Sequence, residues 1–261
     1  MPALESLLGC TLVLVAHPDD EALGCAALLQ RMREPIVCFA TDGAPLDRKW
    51  WQPYGSRKKY AATRRDEALQ AMQTCGVSQV EFLANREPAC IDQELFRHLD
   101  LAFTALLSFA RPLAPEAILT MAYEGGHPDH DSCSVLAAAL GPELGLPVWE
   151  MPLYSRTHDG EVSLQSFSAG DQPLVLLPNE QELQRKRAMF AAYVSQQLVI
   201  EKFNWREERF RSQPAYDYSQ PPHAGKLNYE LWQWPMTGSE VSRAFAEFFC
   251  QRAAHKQARS V

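Results

Sequence analysis

The sequence predicts an α/β protein, a Rossmann-like three-layer sandwich with a mostly parallel central sheet. Short, continuous apolar runs rich in β-branched residues alternate with longer stretches of helical pattern. Such runs are typical of strands buried on both faces, and their alternation with helices produces parallel strands joined by right-handed crossovers. The chain has 261 residues, a length sufficient to enclose a large core. Its composition, 46% hydrophobic and 22% charged residues, is ordinary for a globular protein.

The predicted elements follow one another along most of the chain. The first apolar run predicts a strand over 11–16, and further strands are predicted at 36–40, 79–83, 117–122 and 147–151. Helices are predicted between them near 20–33, 60–75, 92–110 and 131–140. A late strand at 174–177 precedes a helix near 180–195, with Asn179 and Glu182 as a capping box. Thr237 and Glu240 form a similar box before a final amphipathic helix.

The sequence favours one domain over residues 1–261. It contains no internal repeat, no low-complexity tract and no clear linker. The segment 203–238 differs from the rest because it is rich in aromatic residues and proline. We expect this segment to pack near the substrate groove, with Trp232 and Trp234 as a wall over it.

Composition narrows the function classes. The net charge of −7 argues against nucleic-acid binding, which requires a basic surface. Seven scattered cysteines without a C-x-x-C pair indicate reduced thiols rather than a disulfide framework. The apolar run 7–16 is too short to span a bilayer and lacks the basic start of a signal peptide. We therefore expect a cytoplasmic protein without membrane insertion.

Two clusters of imidazole and carboxylate groups follow predicted strands. His17-Pro18-Asp19-Asp20-Glu21 follows the first strand, and the segment 124–131, which contains His127 and His130, follows the fourth. Ligands bind at the carboxyl ends of parallel strands, and neutral imidazole with carboxylate suits zinc. Acidic residues in a first helical turn are also favoured by the helix dipole, but two such clusters at one sheet edge favour a metal site.

These motifs resemble those of the PIG-L/LmbE-like family of metal-dependent N-acetylglucosaminide deacetylases. The segments Thr41-Asp42-Gly43, Arg64-x-x-Glu67 and Cys75-Gly76-Val77 are also similar to that family. The resemblance covers roughly the first 140 residues. It implies an amide hydrolase whose cofactor is Zn²⁺, with Fe²⁺ or Co²⁺ as alternatives that tolerate the same ligands.

The resemblance also implies roles for individual residues. His17, Asp20 and His130 match the metal ligands, Asp19 matches the general base, and His127 matches the group that stabilises the transition state. A carboxylate beside the reacting water takes its proton and returns it to the departing amine. Asp129 is expected either to hold a protonated His127 or to cap the following helix.

The substrate side is predicted less sharply. Asp42 is expected to bind a sugar hydroxyl or to support the metal site, with a plain turn as the alternative. Arg64 matches a substrate-contacting arginine, and the basic cluster 57–65 fits an anionic substrate or a solvated face. Some family members carry a tyrosine where this chain has Gly125, so Tyr123 is the candidate replacement. Trp50 and Trp51 are expected either to stack on a pyranose or to be buried.

The predicted function is zinc-dependent removal of an acetyl group from an N-acetylglucosamine-type conjugate, a small-molecule sugar amide. The alternatives are a metal-dependent phosphoester hydrolase, which the basic cluster favours, and a catalytically inactive sugar-binding module. Two histidines and a carboxylate are also the ligands of non-haem iron oxygenases. Alternating strands and helices argue against that class, for which we expect a β-rich barrel.

Overall fold

A seven-stranded sheet forms the centre of the computed structural model, which describes residues 4–156, 159–167, 170 and 172–259. Its strand order is β3-β2-β1-β4-β5-β9-β8. The first five strands in this order are parallel, whereas β9 is antiparallel to both β5 and β8. The sheet strands are β1 (Cys10–Val15), β2 (Glu34–Phe39), β3 (Gln79–Phe82), β4 (Ala117–Met121), β5 (Val148–Met151), β8 (Leu174–Leu176) and β9 (Glu208–Ser212), and a separate hairpin contains β6 (Tyr154–Arg156) and β7 (Val162–Leu164).

Two groups of helices cover the sheet. Helices α1, α3 and α6 contact one another, as do α4, α5 and α9, which gives the three predicted layers. In the described ranges, no helix has the length and apolarity required to cross a bilayer. The helices are α1 (Asp20–Leu29), α2 (Arg48–Trp51), α3 (Arg57–Cys75), α4 (Leu99–Ala110), α5 (Pro128–Leu144), α6 (Glu180–Ala192), α7 (Gln197–Ile200), α8 (Asn228–Leu231) and α9 (Gly238–Arg259).

The predicted fold class is confirmed, and so is the position of each predicted strand. Both capping boxes are present: Asn179 pairs with Glu182, and Thr237 pairs with Glu240. The predicted helix over 92–110 was too long, since α4 begins at Leu99 after a 3-10 helix at Leu95–Arg97. Local composition could not separate these, because residues 92–94 form a turn in which the polar residues Asp92 and Gln93 are buried.

Strand β9 was not predicted, although it extends the central sheet. Its sequence alternates charged residues with Phe210, which suggests an exposed edge, yet Glu208 is buried. Glu208 forms a salt bridge of 2.8 Å with Lys186, which is fully buried. A buried pair of opposite charges satisfies both groups, so a charged pattern was compatible with a central position.

The same glutamate supports the helix that carries the first motif. Helix α1 is interrupted at Cys25, where φ is −147° and ψ is 22°. The N–H groups of Ala27 and Leu28 donate to the two carboxylate oxygens of Glu208 at 2.7 and 3.0 Å. An interior carboxylate therefore caps the second half of α1 in the way that an N-cap residue caps a helix start.

Sheet order explains why the two motifs meet. Strands β1 and β4 are adjacent and parallel, with Thr11 opposite Ala117 and Val13 opposite Leu119. The chain after β1 and the chain after β4 therefore leave the sheet at the same edge. Ligand sites of open α/β sheets lie at such an edge, outside the carboxyl ends of the strands.

Candidate metal centre and active site

The three predicted metal ligands lie against one another. Asp20 Oδ2 is 3.5 Å from His17 Nδ1, and Asp20 Oδ1 is 3.4 Å from His130 Nε2. The imidazole rings of His17 and His130 have centroids 5.3 Å apart. All three residues are buried. The structure thus brings together side chains that are separated by more than 100 positions in the sequence.

The donor atoms of this cluster fit a metal ion. Both ring nitrogens of His130 are buried without a hydrogen-bond partner among the described residues. Ligand atoms of His17, His127 and His130 lie within 4.8 Å of one another. Buried polar atoms normally have hydrogen-bond partners. Imidazole nitrogens that lack one and lie near other potential metal ligands therefore indicate a place for a cation.

The charges in this cluster shift the pKa values of His17 and Asp20 in opposite directions. Burial lowers the pKa of His17, but Asp92, Asp129 and Asp20 together raise it well above its ordinary value. Burial raises the pKa of Asp20, but His130 and His17 hold it well below its usual range. The Asp20 carboxyl is therefore ionised, as a metal ligand must be.

Asp19, the predicted general base, has a strained backbone and lies beside the guanidinium of Arg64. Its φ is 133° and its ψ is −26°, a region that non-glycine residues rarely occupy. Arg64 Nη2 lies 3.1 Å from Asp19 Oδ2 and also donates to the carbonyl oxygen of Pro18 at 2.6 Å. Burial raises the pKa of Asp19 to about 7, against the lowering effect of Arg64. A carboxylate with this pKa can both accept and return a proton near neutral pH.

Two further buried residues hold this turn, and neither was assigned a role from the sequence. Glu21 Oε2 accepts the N–H of Asp19 at 3.3 Å, and Glu21 Oε1 accepts the hydroxyl of Tyr193 at 2.5 Å. Glu21 and Tyr193 are both fully buried. Because backbone strain persists only where the surroundings enforce it, this contact explains how Asp19 keeps its conformation.

Asp92 is a member of the cluster that sequence reasoning missed. Its Oδ1 lies 3.5 Å from the Nε2 atoms of both His17 and His127 and has no hydrogen-bond partner in the part of the chain that the structure describes. The residue lies in a loop without regular structure, where Asp42 Oδ1 accepts its backbone N–H at 3.2 Å. No local pattern marks it, since the surrounding sequence Cys90-Ile91-Asp92-Gln93 resembles no ligand motif.

The structure places Asp129 against His17 rather than His127. Asp129 Oδ2 is 3.2 Å from His17 Nε2 and accepts the N–H of Gln93 at 2.7 Å. His127 Nδ1 is 3.8 Å from that oxygen and already accepts the N–H of Asp129 at 3.1 Å. Burial, followed by the charges of His17 and His130, lowers the pKa of His127. The expectation that Asp129 holds a protonated His127 is therefore corrected: His127 is a neutral donor through Nε2, and it faces Asp92.

Arg64 and Asp42, which were predicted to bind substrate, are both bonded to other protein groups. Arg64 is buried against Asp19 and also donates to the carbonyl oxygen of Gly43. Asp42 accepts from Arg57 at 2.7 Å and from the backbone of Asp92, so it supports the site at one remove. Both side chains thus have protein partners close to the cluster.

Tyr123 lies in an aromatic cluster of the core, which corrects its expected place beside the substrate. Its hydroxyl donates to the carbonyl oxygen of Gln220 at 2.7 Å, and its ring contacts Tyr216, Tyr218 and Phe245. Tyr154 is the tyrosine beside the cluster, with its ring centroid 5.0 Å from that of His130. Tyr123 lies two residues beyond Met121, where β4 ends, and its ring contacts and its bond to Gln220 fix its side chain in the core.

The aromatic C-terminal segment reaches the cluster directly. The ring of Trp234 is 4.9 Å from that of His127, in an edge-to-face arrangement. Asn228 anchors this segment, since its N–H donates to the carbonyl oxygen of Gly125 and its side chain donates to that of Gly126. Trp50, by contrast, is partly exposed on α2, where Lys49 lies over its ring at 5.7 Å.

Comparison with protein families agrees with these motifs. Residues 12–140 match the PIG-L family model, which is described as GlcNAc-PI de-N-acetylase. Over this segment the chain is similar to the PIG-L/LmbE-like family. The match confirms the predicted resemblance and the predicted enzyme class, an N-deacetylase that hydrolyses an amide bond. No curated protein matched the chain.

Solved structures show how widely this PIG-L-type fold is used. The A40926 pseudoaglycone deacetylase Dbv21 superposes with a TM-score of 0.59 at 17% identity, covering 79% of this chain and 98% of that one. The zinc-inhibited form of teicoplanin deacetylase Orf2 has a TM-score of 0.56 at 14% identity, covering 79% and 99%. GalB, a 4-carboxy-2-hydroxymuconate hydratase from Pseudomonas putida KT2440, has a TM-score of 0.51 at 20% identity, covering 73% and 81%. One fold thus serves more than one reaction, and the residues of the site must decide between them.

Proposed function

We propose that this protein is a zinc-dependent hydrolase that removes an acetyl group from the amide nitrogen of an N-acetylglucosamine-type conjugate. The observation that carries the proposal is the position of Asp19, a buried carboxyl with a pKa of about 7 directly beside the His17–Asp20–His130 cluster. A site that only binds sugar has no use for such a group. The family description and the deacetylase relatives support the choice of an acetamide as the substrate.

His17, Asp20 and His130 would hold the metal ion. They offer two imidazoles and an ionised carboxylate, a donor set that suits zinc and leaves one position open. His127 is the less suitable ligand because its Nδ1 is already engaged by the Asp129 N–H and its Nε2 faces Asp92. When bound, a divalent metal supplies Lewis-acid chemistry, polarising a carbonyl and making water a stronger acid.

The remaining residues handle protons and hold the substrate. Asp19 takes the proton of the attacking water, which adds to the amide carbon, and returns it to the nitrogen as the carbon–nitrogen bond breaks. Arg64 keeps this carboxyl oriented between the two transfers. His127 donates from Nε2 to the oxygen on which negative charge develops, an interaction worth about 3–4 kcal/mol in comparable sites. Asp92 Oδ1, which lies 3.5 Å from that nitrogen, favours a proton on it.

The test is a comparison of acetate release by the zinc-loaded protein and by Asp19→Asn. With N-acetylglucosamine conjugates we expect the wild type to release acetate and free amine in equal amounts. The variant should keep one zinc per chain and lose at least about 100-fold in kcat, because a general base contributes 10²–10⁴-fold.

Each alternative has a distinct result. Release of phosphate from phosphoesters without acetate from amides would identify a phosphoester hydrolase. Sugar binding with no turnover, unchanged in Asp19→Asn, would identify a binding module. Unchanged acetate release in Asp19→Asn would contradict the general-base assignment while leaving the deacetylase proposal standing.

A further inference from the structure

Three aromatic side chains outside the 12–140 segment form a continuous arc between the two histidines of the second motif. The ring of Tyr154 contacts that of His130, and the ring of Trp234 contacts that of His127. Trp232 lies between them, with its ring centroid 6.3 Å from that of Tyr154 and 5.1 Å from that of Trp234. We call Tyr154, Trp232 and Trp234 the aromatic arc. Both ends of the arc contact buried imidazoles, and its middle member, Trp232, reaches solvent with 46% of its surface exposed.

The backbone of this segment is built to hold the two indoles together. Gln233 has φ of 57°, a left-handed conformation that costs a non-glycine residue free energy, and it turns Trp232 and Trp234 toward one another. The N–H groups of Trp232 and Trp234 donate to the carbonyl oxygens of Asn228 and Tyr229, both at 3.0 Å. Asn228 in turn bonds the loop that precedes His127. The arc is therefore fixed relative to the reacting groups.

We propose that the aromatic arc is a binding site for a second, uncharged ring of the substrate, joined to the N-acetylated sugar. This inference rests on the proposed function and specifies its substrate class. The sugar that carries the acetamide must reach buried groups, so the adjoining part of the substrate extends outward along the arc to Trp232. Two indoles inclined at 48° present a broad apolar surface that can cover one face of a ring.

Charge supports an uncharged partner. Residues 231–236, which carry both indoles, include no charged side chain. Arg57 and Arg64, near the metal cluster, are engaged by Asp42 and Asp19. Arg156, on the same strand as Tyr154, donates to Asn228 Oδ1 and to the carbonyl oxygen of Gly160. The arc therefore favours a pyranose or an aromatic ring over a phosphate or carboxylate group.

The test uses four ligands and metal-free protein, so that binding is measured without turnover. The ligands are N-acetylglucosamine, N,N′-diacetylchitobiose, phenyl N-acetylglucosaminide and hexyl N-acetylglucosaminide. Measured by calorimetry, Trp232→Ala should raise the Kd for N,N′-diacetylchitobiose, for phenyl N-acetylglucosaminide, or for both about tenfold, in line with the loss of one ring-stacking contact. Kd for N-acetylglucosamine should change less than about twofold, because that ligand has no second ring.

Control variants separate stacking from folding. Trp232→Phe keeps a ring and should recover most of the affinity for the ring-bearing ligands. Trp205→Ala removes a tryptophan whose ring is contacted by Arg187 and Arg206 and, among the described residues, makes no ring contact with the arc, so it should change no Kd. A loss of affinity for N,N′-diacetylchitobiose alone identifies the second ring as a sugar. A loss of affinity for the phenyl glycoside alone identifies it as an aromatic ring.

Several results would overturn the proposal. These are no selective loss in Trp232→Ala, a loss for the hexyl glycoside as large as that for the ring-bearing ligands, or an equal loss for all four ligands. Acetate release by the zinc-loaded wild type is measured in parallel. Selective binding without any acetate release would reject the proposed function and keep the arc, whereas acetate release with no selective binding would reject the arc alone.

Discussion

At the scale of single residues, the site depends on keeping Asp19 in a backbone conformation that it would not adopt alone. With its positive φ, Asp19 places its carboxyl beside Arg64. Glu21 accepts the Asp19 N–H. The hydroxyl of Tyr193, the residue that follows helix α6, donates to Glu21 and fixes its position. A catalytic carboxylate misplaced by a fraction of an ångström loses rate without losing the metal.

Tyr193→Phe tests this positioning. The variant keeps the buried ring and removes the hydroxyl that fixes Glu21. We expect kcat for deacetylation to fall about tenfold, with KM and zinc content unchanged, because only the transition state requires a precise Asp19 position. Steady-state kinetics and metal analysis of the same preparation check this.

Tyr218→Phe is the matched control. It also removes a buried hydroxyl, which lies 2.9 Å from Ser134 Oγ in the aromatic cluster of the core. Both variants should lose about 1 kcal/mol of unfolding free energy, the usual contribution of one hydrogen bond. Equal effects of the two substitutions on kcat would show that Tyr193 acts through stability alone.

At the scale of elements, the second motif is held by contacts from three directions. Asp131 of α5 accepts the N–H groups of Glu124 and Gly125 at 3.1 and 3.0 Å. Asn228 of α8 bonds the carbonyl oxygens of Gly125 and Gly126. Strand β6 packs so closely that a Cβ atom on Gly126 would lie 1.8 Å from the carbonyl oxygen of Tyr154. The loop before His127 can therefore carry only glycine at this position.

Gly126→Ala should separate the loop from β6. Because the obstructing atom belongs to the backbone, the strand or the loop must move, and His127 and Tyr154 move with it. We expect at least about 100-fold lower kcat/KM, the scale of loss reported for misplacement of about 1 Å. Kinetics measured below the unfolding temperature of the variant check this.

Gly76→Ala provides the comparison for loss of a glycine as such. Gly76 ends α3 with φ of 81°, and no described residue beyond its own helix turn and chain neighbours has an atom within 4 Å of a Cβ built there. This substitution should cost about 1 kcal/mol of stability from the left-handed backbone and leave kcat/KM unchanged. A Gly126→Ala enzyme as active as Gly76→Ala would contradict the account of the close approach.

At the scale of the whole molecule, the chain beyond residue 140 completes both the sheet and the site. Strands β9 and β8 extend the sheet, Glu208 of β9 supports α1, and Trp234 contacts His127. These contacts support the proposal that residues 1–261 form one domain. Buried carboxyl groups are part of its construction, and they make the stability of the protein depend on pH.

Glu124→Gln tests this dependence. Burial raises the pKa of Glu124 to about 8, although the N–H groups of Leu153 and Tyr154 that donate to it lower the pKa. Since the folded-state pKa exceeds the unfolded value, the stabilisation is complete below the unfolded pKa and is lost as pH rises through about 8. The variant keeps an acceptor for both N–H groups and removes the titration, so its stability should decline less steeply between pH 5 and 8 by up to about 1.4 kcal/mol per pH unit.

Urea unfolding of metal-free protein at several pH values in this range measures the two slopes. Glu116→Gln is the control, because Glu116 is exposed and Arg33 lowers its pKa. That variant should keep the wild-type slope. Identical slopes for the wild type and Glu124→Gln would show that Glu124 is ionised in the folded protein.

The sequence by itself determined the fold class and the centre of the candidate site. Apolar β-branched runs mark strands wherever they occur, and a His-Pro-Asp turn after a strand is a local pattern. Adjacent parallel strands then bring His17, Asp20 and His130 to one edge. The tertiary structure alone decided which other side chains reach that edge: Asp92 rather than Asp42, Tyr154 rather than Tyr123, and Tyr193 behind Glu21. These residues follow no local pattern, because contacts between segments far apart in the chain set their positions, and such contacts exist only after the sheet and its helices have packed.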